Sequence, residues 1–150
     1  MKLAEALQER ASLSHRISQM NNRLCNNALV QEGEKPAEDP AELLVELDEC
    51  LARLEELMSR INITNCKTIE NGKSITDMIA KRDCLNTKIS LYRDLCDNAS
   101  CAAGRATRSE IKIFSTVDVR LLRKLIDEMS KELRLTDNAI QRLNWETDLM

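Results

Sequence analysis

The 150-residue chain is poor in aromatic residues and in residues that interrupt helices. Its only aromatic side chains are those of Tyr92, Phe114 and Trp145, and it contains three glycines and two prolines. Sandwiches and barrels need many short strands with frequent turn residues, so this composition disfavours them. Leu, Ala, Glu, Lys and Arg, which all favour helices, dominate instead. We therefore predict a mainly α-helical protein.

The sequence also lacks long apolar runs. None reaches the roughly 18 residues of a membrane-spanning helix, and the N-terminus has no apolar stretch of the kind found in signal peptides. These absences predict a cytoplasmic protein. A chain of this length can bury a core without disulfides or metal ions, so we expect a single helical domain over residues 1–150.

Histidine and closely spaced cysteine pairs are scarce as well. The six cysteines include no Cys-x-x-Cys pair, and the tightest pair is Cys96 and Cys101. Zinc sites use close pairs of Cys and His, while disulfide scaffolds are typical of secreted proteins. We expect six reduced thiols, no metal site and no cofactor.

No common catalytic motif is present. The sequence contains no glycine-rich phosphate-binding loop, no dinucleotide fingerprint, no metalloprotease helix motif and no nucleophile elbow. The sole histidine, His15, has no nucleophile or orienting group near it in sequence. We predict no catalytic residues and no enzymatic activity; an unpaired cysteine nucleophile is the alternative that stays open.

Charges of both signs alternate along the chain, whose net charge is −3. The nearest approach to a basic patch, near residue 125, is interrupted by acids. Its basic members are Arg120, Arg123, Lys124, Lys131 and Arg134. This pattern is typical of a solvated helix face with ion pairs four residues apart. We predict no binding to nucleic acid.

Apolar residues at alternating spacings of three and four predict four long helices. The first spans residues 2–25, and the second begins with Asp39 as cap and Pro40 in the first turn. The third restarts at Ser74 and Asp77 through a capping box, after a tight turn at Asn71-Gly72, and the fourth begins near Ser115 or Thr116. The third and fourth seams are Ile75, Met78, Arg82, Leu85, Ile89, Tyr92 and Cys96, and Val119, Leu122, Ile126, Met129, Leu133, Thr136, Ile140 and Leu143.

The second helix carries two overlapping seams, which predicts contact with at least two neighbours. One seam is Leu44, Leu47, Leu51, Leu54, Met58 and Ile61, and the other is Leu43, Leu47, Cys50, Leu54, Leu57 and Ile61. The first and third helices each place one arginine in the seam, Arg10 and Arg82. Each either extends to water along its stem or forms a buried ion pair. Long seams with exposed flanking leucines predict a homo-oligomer.

Two segments between the helices have strand propensity, residues 28–31 and 111–117. We expect them to pair as a small two-stranded β-ribbon, and we expect residues 97–109 to form a loop. The predicted fold is four long antiparallel helices in a bundle-like arrangement with that ribbon. Trp145, at the end of the last seam, is predicted to close one end of the bundle; a partner contact is the alternative.

The loops resemble a known family. Residues 27–40 (NALVQEGEKPAEDP), 108–112 (RSEIK) with 115–119 (STVDV), and 143–145 (LNW) with 147–149 (TDL) are similar to segments of the septicolysin-like family of small bacterial helical proteins. The resemblance extends over nearly the whole chain in order. The name of the septicolysin-like family implies a cytolysin, a protein that permeabilises membranes.

Two hypotheses of function therefore stand beside the cysteine enzyme. The first is a self-assembling helical protein that acts by protein binding or scaffolding. The second, which rests on the resemblance, is a septicolysin-like cytolysin, and a membrane is expected as a partner only in that case.

Overall fold

Four helices and one short ribbon make up the computed structural model, which describes residues 1–105 and 111–150. The helices are α1 (Leu3–Asn26), α2 (Pro40–Lys67), α3 (Ile75–Arg105) and α4 (Val119–Glu146). An antiparallel ribbon of two strands, β1 (Ile69–Glu70) and β2 (Lys73–Ser74), separates α2 from α3 along the chain. The predicted mainly α fold class with a small ribbon is confirmed.

The predicted starts of α2 and α3 are confirmed by their caps. The Asp39 carboxylate accepts a hydrogen bond from the backbone N–H of Ala41 at 2.9 Å. At α3, the Ser74 backbone N–H donates to the Asp77 carboxylate at 2.9 Å, and the Asp77 N–H donates to the Ser74 hydroxyl at 3.1 Å. Both caps satisfy N–H groups that a helix start leaves without partners.

Helix α4 begins later than predicted. It starts at Val119, and the Asp118 carboxylate caps it by accepting from the Leu121 N–H at 3.0 Å. The Ser115 hydroxyl instead bonds locally to the backbone of Val117, accepting from its N–H at 3.3 Å. Such short-range bonds compete with helix formation, so the cap lies at Asp118 rather than at Ser115 or Thr116.

Helix α3 extends through much of the predicted loop. It continues to Arg105, whereas residues 97–109 were expected to be non-helical. The Asn98 amide and the Ser100 hydroxyl each donate to the carbonyl four residues earlier, at 2.8 Å. Polar side chains satisfied in this way are compatible with a helix. The rest of the predicted loop, residues 106–109, lies outside the described residues.

The ribbon forms at a different place from the predicted one. Residues 28–31 and 111–117 are irregular, and the strands flank Asn71-Gly72 instead. Asn71 and Gly72 both have positive φ, at 51° and 77°. This conformation matches the twist of a two-residue hairpin and favours Asn-Gly. The predicted turn is correct, but its hairpin was not foreseen.

The chain forms two compact units, of which the first comprises residues 1–69 and 143–150. Here α1 and α2 lie antiparallel, and ion pairs join Arg16 to Glu46 and Arg53 to Glu9. The buried helical side chains of these two helices are Leu3, Ala4, Ala6, Met20, Leu43, Cys50, Leu57, Ile61 and Thr64.

The last residues of the chain pack against the start of α1 within this unit. The Leu3 N–H donates to the Thr147 carbonyl, and the Leu149 N–H donates to the Met1 carbonyl, both at 2.9 Å. Leu149 is buried. These bonds fix both chain ends to the first unit.

The second unit comprises residues 70–142, and the ribbon turn, α3 and most of α4 belong to it. Its main cluster centres on Ile89 and Cys96 of α3 and Ile126 of α4, all buried. Half-buried side chains from the predicted seams pack around them, namely Tyr92, Val119, Leu122, Met129 and Leu133. The predicted seams of α3 and α4 are therefore the ones that meet.

Candidate interaction surfaces

One of the two predicted seams of α2 is uncovered. Leu44, Leu51 and Met58 are 50%, 44% and 47% exposed, whereas Cys50 and Leu57 of the other seam are buried. A spacing of seven residues places the three exposed side chains in a single stripe along the helix. We call Leu44, Leu51 and Met58 the leucine–methionine stripe. The prediction that α2 contacts at least two neighbours agrees with its contacts to α1 and to Met150 at the end of the chain, but the described residues leave this seam half-exposed.

Acidic residues border the outward side of this stripe. Asp48 and Glu55 are exposed, and neither forms an ion pair with any residue that the structure describes. Two other acids near α2 are neutralised, since the Arg53 guanidinium binds Glu9 at 2.7 Å and Glu56 at 2.8 Å. Hydrogen bonding to Arg53 lowers the pKa of both of these glutamates. The stripe thus has an unneutralised negative border.

A basic stripe runs along the outward face of α4. Helical periodicity places Arg120, Lys124, Lys131 and Arg134 on the side opposite the buried seam, with Asp127 among them. All five are exposed, and within the described ranges the four basic residues form no ion pair. We call Arg120, Lys124, Lys131 and Arg134 the basic stripe.

Two of the neighbouring acids of α4, Glu132 and Asp137, lie next to basic residues of α3. Glu132 pairs with Lys81, which lowers the pKa of the glutamate by hydrogen bonding. Asp137 lies 3.9 Å from Arg82. The four residues of the basic stripe form none of the ion pairs at a spacing of four residues that were predicted for this patch. Two exposed acids, Asp127 and Glu128, lie beside Lys124 and Lys131, so the stripe keeps a positive excess rather than a purely basic surface.

An open cleft of about 460 Å³ lies between α3 and α4 in the second unit. Apolar side chains, including Met78, Leu135 and Ala139, line it together with the Lys81–Glu132 pair. Glu70, Asn71 and Lys73 of the ribbon also line it, so the cleft combines apolar surface with charged side chains.

The seam arginines and His15 occupy ordinary structural positions. Arg10 is exposed, as expected for a side chain that extends to water, whereas Arg82 is half-buried and binds Asp83 at 2.8 Å. His15 is exposed, with its Nε2 atom 2.9 Å from the Gln19 side-chain nitrogen. The structure does not gather these residues into one site.

Trp145 is not the predicted anchor of a bundle end. Its side chain is 55% exposed, while its neighbours Leu143 and Asn144 are buried. At the end of α4, helical periodicity turns Leu143 and Asn144 inward and leaves the next residue outside. The alternative of a partner contact stays open for this tryptophan.

All six cysteines are free thiols. Cys50 and Cys96 are buried, and the other four are exposed. Within residues 1–105 and 111–150, no group of three or more His, Cys, Asp or Glu side chains is placed to hold a metal ion. No helix in the same ranges has both the length and the apolar character needed to cross a membrane.

Two irregular segments expose large apolar side chains. Leu29 is 90% exposed and Phe114 is 78% exposed, and Val30 and Ile113 are also exposed. All four were predicted to be strand residues, and all four lie in irregular segments instead. Around residue 29 the sequence does contain a sign of exposure, because the apolar pair Leu29-Val30 stands in a polar stretch with a turn glycine, Gly33. That sign was not used in the prediction.

Comparison with known proteins identifies relatives of unknown function. Residues 10–149 match a family described as a family of unknown function, DUF6847. The crystal structure of a conserved protein from Corynebacterium diphtheriae, itself described as functionally unknown, is 45% identical and superposes with a TM-score of 0.91. The match covers 100% of this chain and 99% of that one. No curated protein matches the chain.

Proposed function

The chain belongs to the DUF6847 family of unknown function, and we propose that it is a cytoplasmic, self-assembling helical protein that acts by binding or scaffolding protein chains, without catalysis. The observation that carries the proposal is the leucine–methionine stripe on α2. Single exposed leucines are common on protein surfaces. Three apolar residues at heptad spacing, with two half-buried leucines beside them, form a seam suited to another helix.

Energetics supports association through this seam. Each apolar side chain gains about 25 cal/mol for every Å² removed from water, and no described residue covers the outer half of the stripe. A second helix laid along it would bury that area in a single straight contact. The function therefore follows from the surface rather than from a reactive centre.

The experiment is sedimentation equilibrium of the reduced protein over a wide range of concentrations. Reduction is required because four exposed thiols can form disulfide-linked dimers. We expect the mass to rise with concentration above the 17.1 kDa of one chain. A mass equal to one chain at every concentration would contradict the self-assembly.

Membrane lysis is the alternative that the septicolysin-like resemblance implies. Its support in the structure is the exposure of Leu29 and Phe114 in the two irregular segments, because large exposed apolar side chains suit insertion into a lipid interface. Dye release from liposomes tests it. Leakage that is lost in a Leu29→Ser/Phe114→Ser variant would favour lysis, and absence of both leakage and liposome binding would reject it.

A further inference from the structure

We propose that the partner of the leucine–methionine stripe is the basic stripe of α4 on a second copy of this chain. This inference rests on the proposed function, because it names the two surfaces through which the self-assembly occurs. Its basis is that the two stripes carry opposite net charge, that the described residues form no ion pair with Asp48, Glu55 or the four basic residues, and that the charged residues have the same spacing. The four basic residues of α4 outnumber the exposed acids beside them, Asp127 and Glu128.

The acidic side of the contact is Asp48 and Glu55 of α2. They lie seven residues apart, on the outward border of the leucine–methionine stripe. Both are exposed and have no ion-pair partner among the residues described. In helix pairs, residues at such flanking positions choose the partner helix by charge.

The basic side of the contact is centred on Lys124 and Lys131 of α4. These lysines are also seven residues apart, so both can face Asp48 and Glu55 at once in either helix direction. Arg120 and Arg134 extend the stripe at its ends. Lysine and arginine have long apolar stems that cover leucine and methionine while their charged ends reach the acids. Leu135, which is exposed, adds apolar area beside Arg134.

Charge also argues against the simplest alternative, in which two copies pair through α2 alone. That arrangement would place the acids of one stripe beside the same acids of its partner. Like charges across a helix pair are unfavourable and select against that partner. The acids of α2 therefore favour a basic helix over a second α2.

The proposed contact joins two different surfaces, so it is heterologous. Copies joined in this way either close into a ring or extend as an open chain. Both products use α2 and α4 of every internal copy. The pairing can therefore be tested with two variants, one changed only on α2 and the other changed only on α4.

The experiment reverses the charge of one stripe at a time. One variant is Asp48→Lys/Glu55→Lys, and the other is Lys124→Glu/Lys131→Glu. Each variant alone would present like charges at every contact, so we expect its self-association to weaken by about tenfold or more at low salt. In a 1:1 mixture the reversed stripe of each variant faces an opposite charge on the other. We expect the mixture to recover association close to that of the wild type.

A matched control uses the same helix and the same spacing. Glu42 and Glu49 are exposed, seven residues apart, and lie on the side of α2 away from the stripe. Glu42→Lys/Glu49→Lys makes the same change in net charge as Asp48→Lys/Glu55→Lys, and we expect it to associate as the wild type does. Circular dichroism and thermal melting of each variant verify that it is folded.

Each outcome discriminates. A wild type that stays monomeric overturns both this inference and the proposed self-assembly. A wild type that associates, with variants that associate equally well, overturns the inference alone. Normal association of Lys124→Glu/Lys131→Glu combined with loss in Asp48→Lys/Glu55→Lys would assign the contact to α2 without α4. Loss in both variants without recovery on mixing also rejects the pairing.

Discussion

Replacing the three residues of the leucine–methionine stripe with serine should weaken the proposed self-association. The size of the effect can be worked out from the exposed fraction of each side chain. Complete burial of a leucine or methionine side chain is worth about 1.5–3 kcal/mol. Leu44, Leu51 and Met58 are 50%, 44% and 47% exposed, so about half of that value is left for a partner to gain. Over three residues this amounts to about 2–4 kcal/mol. The dissociation constant should therefore rise by about 30- to 1,000-fold in Leu44→Ser/Leu51→Ser/Met58→Ser.

The assay for this prediction is sedimentation equilibrium together with chemical unfolding. The substitutions also remove the covered half of each side chain from the first unit, so the free energy of unfolding is measured for the same samples. Val45 and Ile63 provide the control, because they are 60% and 44% exposed on α2 but lie off the stripe. Val45→Ser/Ile63→Ser should leave association unchanged. Equal association of the wild type and a folded triple variant would refute the reasoning.

Three further predictions concern the fold. The side chain of Leu57 has no exposed surface, so Leu57→Ala should lower the free energy of unfolding by about 2–5 kcal/mol. A loss below about 1 kcal/mol in urea unfolding would contradict the place of Leu57 in the core. Ser74→Ala removes the hydroxyl that caps α3 by accepting from the Asp77 N–H, and it should lower the free energy of unfolding by about 1 kcal/mol in thermal melting. An unchanged melting curve would mean that the cap does not form in solution. Bonding to Arg53 lowers the pKa of Glu9 from its ordinary value of 4.5, so the stabilisation is complete above that pH and is lost as the pH falls through the lowered pKa. Arg53→Gln should reduce this acid dependence in unfolding measured across the pH range, and an unchanged dependence would mean that the pair contributes nothing.

Periodicity and caps were readable from the sequence because they are local. The seam of α4 and the caps at Asp39 and Ser74 depend on residues within a few positions of one another, and the structure has them as predicted. The ribbon was misplaced because strand propensity depends on context. Asn71-Gly72 favours a hairpin strongly enough for weak strand formers to pair beside it. Residues 28–31 have the stronger propensity, but in the described part of the chain they pair with no strand.

The residues of the candidate surfaces could be predicted from the sequence, but their exposure and pairing could not, because these depend on contacts between different helices. Both seams of α2 are visible in the sequence, but the sequence does not show which one becomes buried, because Leu47, Leu54 and Ile61 belong to both. The basic stripe of α4 was interpreted as a solvated face with internal ion pairs. The solvated face agrees with the structure, in which these basic residues are exposed. Their ion pairs along α4 do not form, although Asp127 and Glu128 lie at suitable spacings, and Lys81 of α3 binds Glu132, a contact that no local pattern encodes.

The leucine–methionine stripe contributes less to the first unit than the buried seam does. Core packing there uses Leu43, Cys50, Leu57 and Ile61, whereas Leu44, Leu51 and Met58 are about half exposed. The exposed half of the stripe gains nothing until a partner removes it from solvent. Folding therefore explains one seam of α2, and the proposed assembly would explain the exposed half of the other. A stripe variant that keeps its fold and loses its association would separate these two roles within a single helix.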